Sequence, residues 1–392
     1  MKILGSRVGL QLFQADERIT NSQFSQFDSK ELSAVYLPDT MAALLDVKPF
    51  EVGQFVEDDN RGAISPSPVA TIDGLDFHLS VKGIGSTTAP FSYQLLDREY
   101  LSSLVGDLKL RSRIRESGSG VSRFITGELW LRGSPYGGQG VEHASTALRV
   151  SEMADMTSIN GFRIAPVIRV VYLPEEVERA AKSIYWYRRF NGRIVQELRL
   201  VPSNIRVYFH SGSVMGRHMK RVFDMFVIDS NEKAYEFEMN FIRSCISLLT
   251  LFPRTMRLRE DGRYSGLDFN DVWLDKDAVL APDGTVFFVD LEGIEERVVD
   301  EKMVADKIEE QLHRSLYEFM FAYEQIENER ASRFGPAGDR RMQFEMLVRE
   351  AVKDDRFIDL TSEGGSLKLI IKNKLDEQKL NKSFSVVDRD VG

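Results

Sequence analysis

The run from Pro66 to Gly85, PSPVATIDGLDFHLSVKGIG, alternates apolar and polar side chains on both sides of an Asp73-Gly74 step. Alternation of period two folded about Asp-Gly is a strong short-range signal for a β-hairpin, so antiparallel β structure is expected here. A second turn, Pro282-Asp283-Gly284, separates a strand at Ala278–Leu280 from one at 286–289. Helical periodicity governs other stretches: 141–159, 238–252, 304–329 and Arg340–Val352. In the third of these, Ile308, Leu312, Leu316, Phe319 and Tyr323 recur at core spacing. Further strands are expected at 162–172, Ile194–Val201, 206–209, 225–228, 234–237 and 367–371. Strands and helices in separate runs predict an α+β chain, and the lack of any internal repeat excludes solenoid and collagen-like architectures.

With 392 residues, 43 % of them hydrophobic, the chain can bury the core of one large domain or of two lobes. A net charge of -9 and a pI of about 5.3 argue against broad binding to nucleic acid or to an anionic membrane. The single Cys245 rules out an internal disulfide framework and a multi-cysteine zinc site, as expected in a reducing compartment. The first residues, MKILGSRVGLQLFQADERIT, carry no apolar core with a small-residue cleavage site. No apolar run reaches the ~20 residues of a membrane helix. These features predict a soluble, cytoplasmic protein. The five histidines, His78, His143, His210, His218 and His313, fall in no metal-ligand spacing and read as structural or surface residues.

Several residues carry chemistry that a core does not require. In Leu198 to Arg206, LRLVPSNIR, Arg199 and Arg206 flank a Pro-Ser turn, and two guanidinium forks held by such a turn suit phosphate oxygens. Lys82 ends an apolar strand beside Val81. Asp290 emerges at the end of the strand after Pro282-Asp283-Gly284, where a carboxylate can hold Mg²⁺. Glu152 falls on the apolar stripe formed by Ala144/Ser145, Leu148, Met156 and Ile159, a costly position unless a cation pairs with it.

The order of short motifs resembles the selenoprotein O family. The pieces are Val81-Lys82-Gly83, Ala89-Pro90-Phe91-Ser92, Leu110-Arg111-Ser112-Arg113-Ile114-Arg115-Glu116, Ser151-Glu152-Met153-Ala154 and Arg199-Leu200-Val201-Pro202-Ser203-Asn204-Ile205-Arg206. They run over residues 76 to 210. The resemblance implies a two-lobed protein-kinase-like fold: a mainly β N-lobe with one key helix and a mainly helical C-lobe. It divides the chain into an arm (1–50), an N-lobe (51–212) with an insertion at 117–140, a C-lobe (213–335) and a C-terminal extension (336–392). It further implies ATP and Mg²⁺ (or Mn²⁺) as cofactors and transfer of AMP to a protein hydroxyl. The alternatives are phosphate transfer by an atypical kinase and a nucleotide-binding pseudokinase scaffold.

Within that resemblance Lys82 pairs the nucleotide phosphates, and Arg199 and Arg206 reach the terminal phosphate of a flipped ATP. The glutamate that holds Lys82 is Glu116, Glu142 or Glu152; helix geometry favours Glu152. Asp290, in Asp290-Leu291-Glu292-Gly293, takes the place of the Asp of Asp-Phe-Gly. Thirteen residues before it, where kinase-like enzymes have a metal-binding Asn, stands Asp277. Asn270 and Asp271 are the other choices for that ligand, and Asp271 and Asp290 are the expected catalytic carboxylates. The family's C-terminal redox cysteine or selenocysteine has no counterpart here.

Overall fold

A computed structural model describes residues 3–4, 18–20, 22–23, 36–37, 50–51, 55–57, 62–83, 139–173, 193–207, 212–269, 274–336, 338–355, 358–363, 366–371 and 383–385. It is a mixed α+β structure, with antiparallel sheets and, among the described residues, seven helices. The chain forms two compact units. The first comprises Met1–Met156 and Pro166–Val201, the second Thr157–Ala165 and Pro202–Gly392. No helix among the described residues is long and apolar enough to cross a membrane.

The first unit is built on a sheet whose middle strands are β1 (Leu75–Lys82), β2 (Val167–Tyr172) and β3 (Ile194–Val201). All eight residues of β3 are buried, as a strand covered on both edges and both faces must be. β1 and β2 flank it antiparallel, and Gly62–Ile64 continues the sheet beyond β1. The Asp73-Gly74 turn forms as expected, joining Ala70–Ile72 to β1, with both turn residues at positive φ. Helix α1 (Val141–Glu152) packs on β2 and β3 through Ala144, Ala147, Leu148, Val150 and Ser151. The Ser151 hydroxyl donates to the Ala147 carbonyl at 2.8 Å and accepts from the Val167 amide at 2.8 Å, tying the helix to the start of β2.

The N-terminal segment closes this unit. Arg18–Thr20 adds a strand to β2, and Gln23 caps the end of α1. Its amide donates to the carbonyls of Glu152 (3.1 Å) and Ala154 (2.7 Å) and accepts from the Met156 amide (3.1 Å). Helix ends leave carbonyls without intrahelical partners, and Gln23 supplies donors from 129 residues away.

The second unit is largely helical. The expected strands at 225–228 and 234–237 are not formed: Met225 ends α2 (Gly212–Met225), 226–230 connect it to the next helix, and 234–237 lie in α3 (Asn231–Leu249). Ser230 decides this locally: its hydroxyl accepts from the Lys233 amide at 3.2 Å, an N-cap bond, with Glu232 in the first turn. Behind the cap, Ala234, Phe237, Glu238, Phe241, Ile242 and Cys245 bury one face at three- and four-residue spacing. Short α4 (Leu251–Thr255) and α5 (Leu274–Asp277) follow. The 31-residue α6 (Val304–Phe334) ends at Gly335, whose φ of +88° terminates the helix, and α7 is Arg340–Val352 as expected.

Three strands of this unit are β4 (Tyr264–Phe269), β5 (Ala278–Leu280) and β6 (Val286–Phe288). β5 and β6 form the expected hairpin about Asp283-Gly284. The expected strand at 162–172 is split: Phe162–Arg163 belongs to the second unit, and β2 begins only after Pro166. Phe162, Phe269 and Phe288 stack in a triangle, with centroids 5.8 Å (Phe162 to Phe269), 5.9 Å (Phe162 to Phe288) and 5.1 Å (Phe269 to Phe288) apart. Each buried ring of this kind contributes about 1.5–3 kcal/mol.

Candidate functional site

Two groups of polar residues stand out, one in each unit. In the first unit, β3 reads IVQELRLV, and Glu197 and Arg199 are only 0 % and 5 % exposed. Isolated buried charges cost several kcal/mol each, so they must pair. They do so locally: two residues apart on one strand they share a face, and the Arg199 guanidinium donates to the Glu197 carboxylate. The register sets Lys82 opposite Glu197 and Ser80 opposite Arg199. Opposed residues have Cβ atoms ~4.5–5.5 Å apart, so Lys82, Glu197 and Arg199 form one row on that face.

The carboxylate opposite Lys82 is therefore Glu197, which is not among the glutamates expected to hold it. Glu152 is exposed at the end of α1, which corrects its expected place on the buried stripe. Ser151 fills that place instead, because a hydroxyl can be satisfied by two backbone groups where a carboxylate would need a cation. Glu142 is also exposed. Glu116, the motif residues 84–92 and 110–116, and most of the 117–140 insertion lie outside the described residues.

In the second unit the β5–β6 hairpin organises the other group. The Val289 amide donates to the Asp277 carbonyl at 2.7 Å, closing the open end of the hairpin. Asp277 enters at that end beside Val289, and Asp290 leaves one residue later. Asp277 is 2 % exposed; Asp290 is half-buried, with the Gly293 amide on its carbonyl at 3.0 Å. Arg206 joins the same body, bridging Val279 of β5, with the Leu280 amide donating to the Ile205 carbonyl at 2.8 Å. Arg206, Asp277 and Asp290 are thus held by three neighbouring segments of one unit. Arg199 belongs to the first unit and Arg206 to the second.

Helix α3 fixes the hairpin's far end. Asn240 donates to the Asp283 carbonyl at 3.0 Å, and the Ser244 hydroxyl accepts from the Val286 amide at 3.0 Å. Gly284, at φ +90°, sits so close to the helix that a Cβ there would lie 2.2 Å from the Phe237 carbonyl oxygen. The turn's own Asp283 accepts from the Thr285 amide and hydroxyl, each at 2.9 Å.

Mg²⁺ is commonly held by one or two carboxylates together with nucleotide phosphates, and Asp277 and Asp290, one residue out of register at the open end of the hairpin, are carboxylates of that kind. Among the described residues no group of three or more His, Cys, Asp or Glu side chains forms a self-sufficient metal cage. Asn270 and Asp271 lie outside the described residues. Their neighbour Asp268 is buried on β4, where Lys307 Nζ meets it at 2.5 Å and Arg297 Nε at 3.8 Å.

Sequence reasoning passed over Glu197 although its signal was present. A Glu and an Arg two apart in an otherwise apolar strand must face the same way and be buried together. Asp268 and Lys307 gave no such signal, since 39 residues separate them and only the fold brings them together. Comparison with known proteins finds no matching family model, no significantly similar curated protein and no significantly similar solved structure.

Proposed function

We propose that the chain is an ATP-dependent transferase of two-lobed kinase-like fold, distantly related to selenoprotein O, that moves AMP from ATP to a protein hydroxyl. The observation that carries this reading is the β5–β6 hairpin, with Asp277 and Asp290 at one end and Arg206 bridged to its edge. Two carboxylates with a guanidinium nearby match what a Mg-triphosphate requires, since transfer of this kind depends on cations at the phosphates more than on covalent help. When bound, Mg²⁺ would neutralise charge on the phosphate oxygens. Asp290 and Asp277 would hold it, Arg206 would contact phosphate, and Asp271 would take the acceptor's proton. The acceptor oxygen bonds to the α-phosphorus, the bond from that phosphorus to the α–β bridging oxygen breaks, and pyrophosphate leaves. An ATP-rich cytoplasm and a protein substrate fit this chemistry.

A second reading, a nucleotide-binding pseudokinase scaffold, draws on the engagement of Arg199 by Glu197 within the sheet. Incubation with Mg²⁺ and ATP labelled at the α- or the γ-phosphate separates the readings, using the wild-type chain and Asp290→Ala with cell extract as acceptor source. Adenylylation predicts protein label from the α position only, lost in the variant. Label from γ only makes the chain a kinase. ATP binding with no transfer from either position makes it a scaffold.

A further inference from the structure

Arg206 is useful to a phosphate only if its backbone is fixed relative to the two carboxylates, and the segment that carries it has little regular structure. Residues 202 to 205 belong to no strand, and Arg206 makes only an isolated bridge. Side chains do the fixing. The Ser203 hydroxyl donates to the Leu280 carbonyl at 2.5 Å and accepts from the Ile205 amide at 3.0 Å. A hydroxyl has one proton and two lone pairs, so one side chain can both shape the turn and fasten it to β5. On the other side, His218 of α2 lies 2.8 Å through Nε2 from the Arg206 carbonyl. A carbonyl only accepts, so Nε2 carries the proton, and burial lowers the pKa of this imidazole, favouring the neutral ring.

We propose that Ser203 is a positioning residue: its hydroxyl locks the Arg206 segment onto the strand leaving Asp277, with His218 as the second anchor, so that guanidinium and carboxylates are presented to one Mg-triphosphate as a pre-set group. The inference rests on the nucleotide reading above and adds to it the residues that supply the precision. Groups that bind a reacting phosphate must be held within about half an ångström, which is the task of their supporting hydrogen bonds. Removing the hydroxyl leaves the Leu280-to-Ile205 backbone bond and the His218 contact intact, so the segment loosens without unfolding.

The test is a double-mutant cycle on MgATP affinity, measured by calorimetry on the full chain with melting temperatures taken in parallel. Ser203→Ala is expected to weaken MgATP about tenfold, as loss of a pre-organising bond does, with Ser203→Thr restoring affinity. Because Ser203 acts through Arg206, Ser203→Ala is expected to have no further effect in an Arg206→Ala background. A general loss of structure gives the same factor in both backgrounds, and that result overturns the inference, as does unchanged affinity in Ser203→Ala. Should Ser203→Ala melt below the assay temperature, His218→Phe set against His218→Gln carries the same cycle. Unchanged MgATP affinity in Arg206→Ala removes Arg206 from the proposed function and ends the inference with it. A wild-type chain that binds no MgATP overturns the nucleotide reading itself.

Discussion

Glu238 of α3 is fully buried in the helical core of the second unit. Arg330 of α6 donates to it through Nε at 2.7 Å, and Gln343 of α7 donates to its other oxygen at 3.3 Å. Arg330 also reaches Gln343 at 3.1 Å and Glu327 at 3.7 Å. Burial pushes the Glu238 carboxyl from its usual 4.5 up to about 7, with Arg330 offsetting only part of that cost. Between those values the folded chain holds a proton that the unfolded chain has released, so stability falls as pH rises. The contribution is fully present below pH 4.5 and lost once pH passes about 7. A shift of this size corresponds to roughly 3 kcal/mol. The perturbation is Glu238→Gln, which keeps an acceptor for Arg330 and removes the titration. Urea unfolding by far-UV circular dichroism, taken on both proteins across that pH range, isolates this group because all others are shared. The stability of the wild type relative to the variant is expected to fall by roughly 3 kcal/mol from the acid to the alkaline end. A flat difference, or one that grows with pH, would falsify the assignment of the proton to Glu238.

Gly284→Ala is expected to cost more than about 2 kcal/mol, because the new methyl meets the Phe237 backbone and the φ of +90° disfavours any L side chain. Measured against Gly74→Ala, which shares the positive φ but meets nothing within 4 Å, the excess reports the close approach to α3. Cys245 is buried, and desolvation raises its thiol pKa well above the usual value, so a thiol-specific reagent at neutral pH is expected to label it only in denaturant. Rapid labelling of the native chain would contradict the packing of α3.

The parts of the fold legible in sequence were those set by local chemistry. The turns at Asp73-Gly74 and Asp283-Gly284 each force a hairpin from within a few residues, and both formed as read. α6 and α7 announced themselves through long apolar periodicity. The segment around Phe237 misled, because aromatic and branched residues in short windows favour strands, and only the Ser230 cap bond, together with burial over five turns, tips it to helix. For the candidate site, the Pro282-Asp283-Gly284 turn made it readable that Asp290 leaves the end of a hairpin strand, whereas the register that sets Asp277 against Val289 depends on where pairing begins. The position of Lys82 opposite Glu197 and the pairing of Asp268 with Lys307 were not readable, since they depend on strand register and on a helix far along the chain.

The short stretch Thr157–Ala165 belongs to the second unit, while the chain on both sides of it belongs to the first. It carries Phe162, one corner of the aromatic triangle beneath the hairpin, and Asn160, whose side chain bonds the Arg254 carbonyl at 3.0 Å. Dissection of this protein therefore has no clean cut. A fragment starting at Pro202 would be born with a hole the size of a phenyl ring next to Phe288, and a fragment ending at Val201 would carry the missing plug as an unpaired loop. During synthesis the ribosome releases that plug long before its socket exists, so the segment must wait, exposed, until the hairpin has emerged.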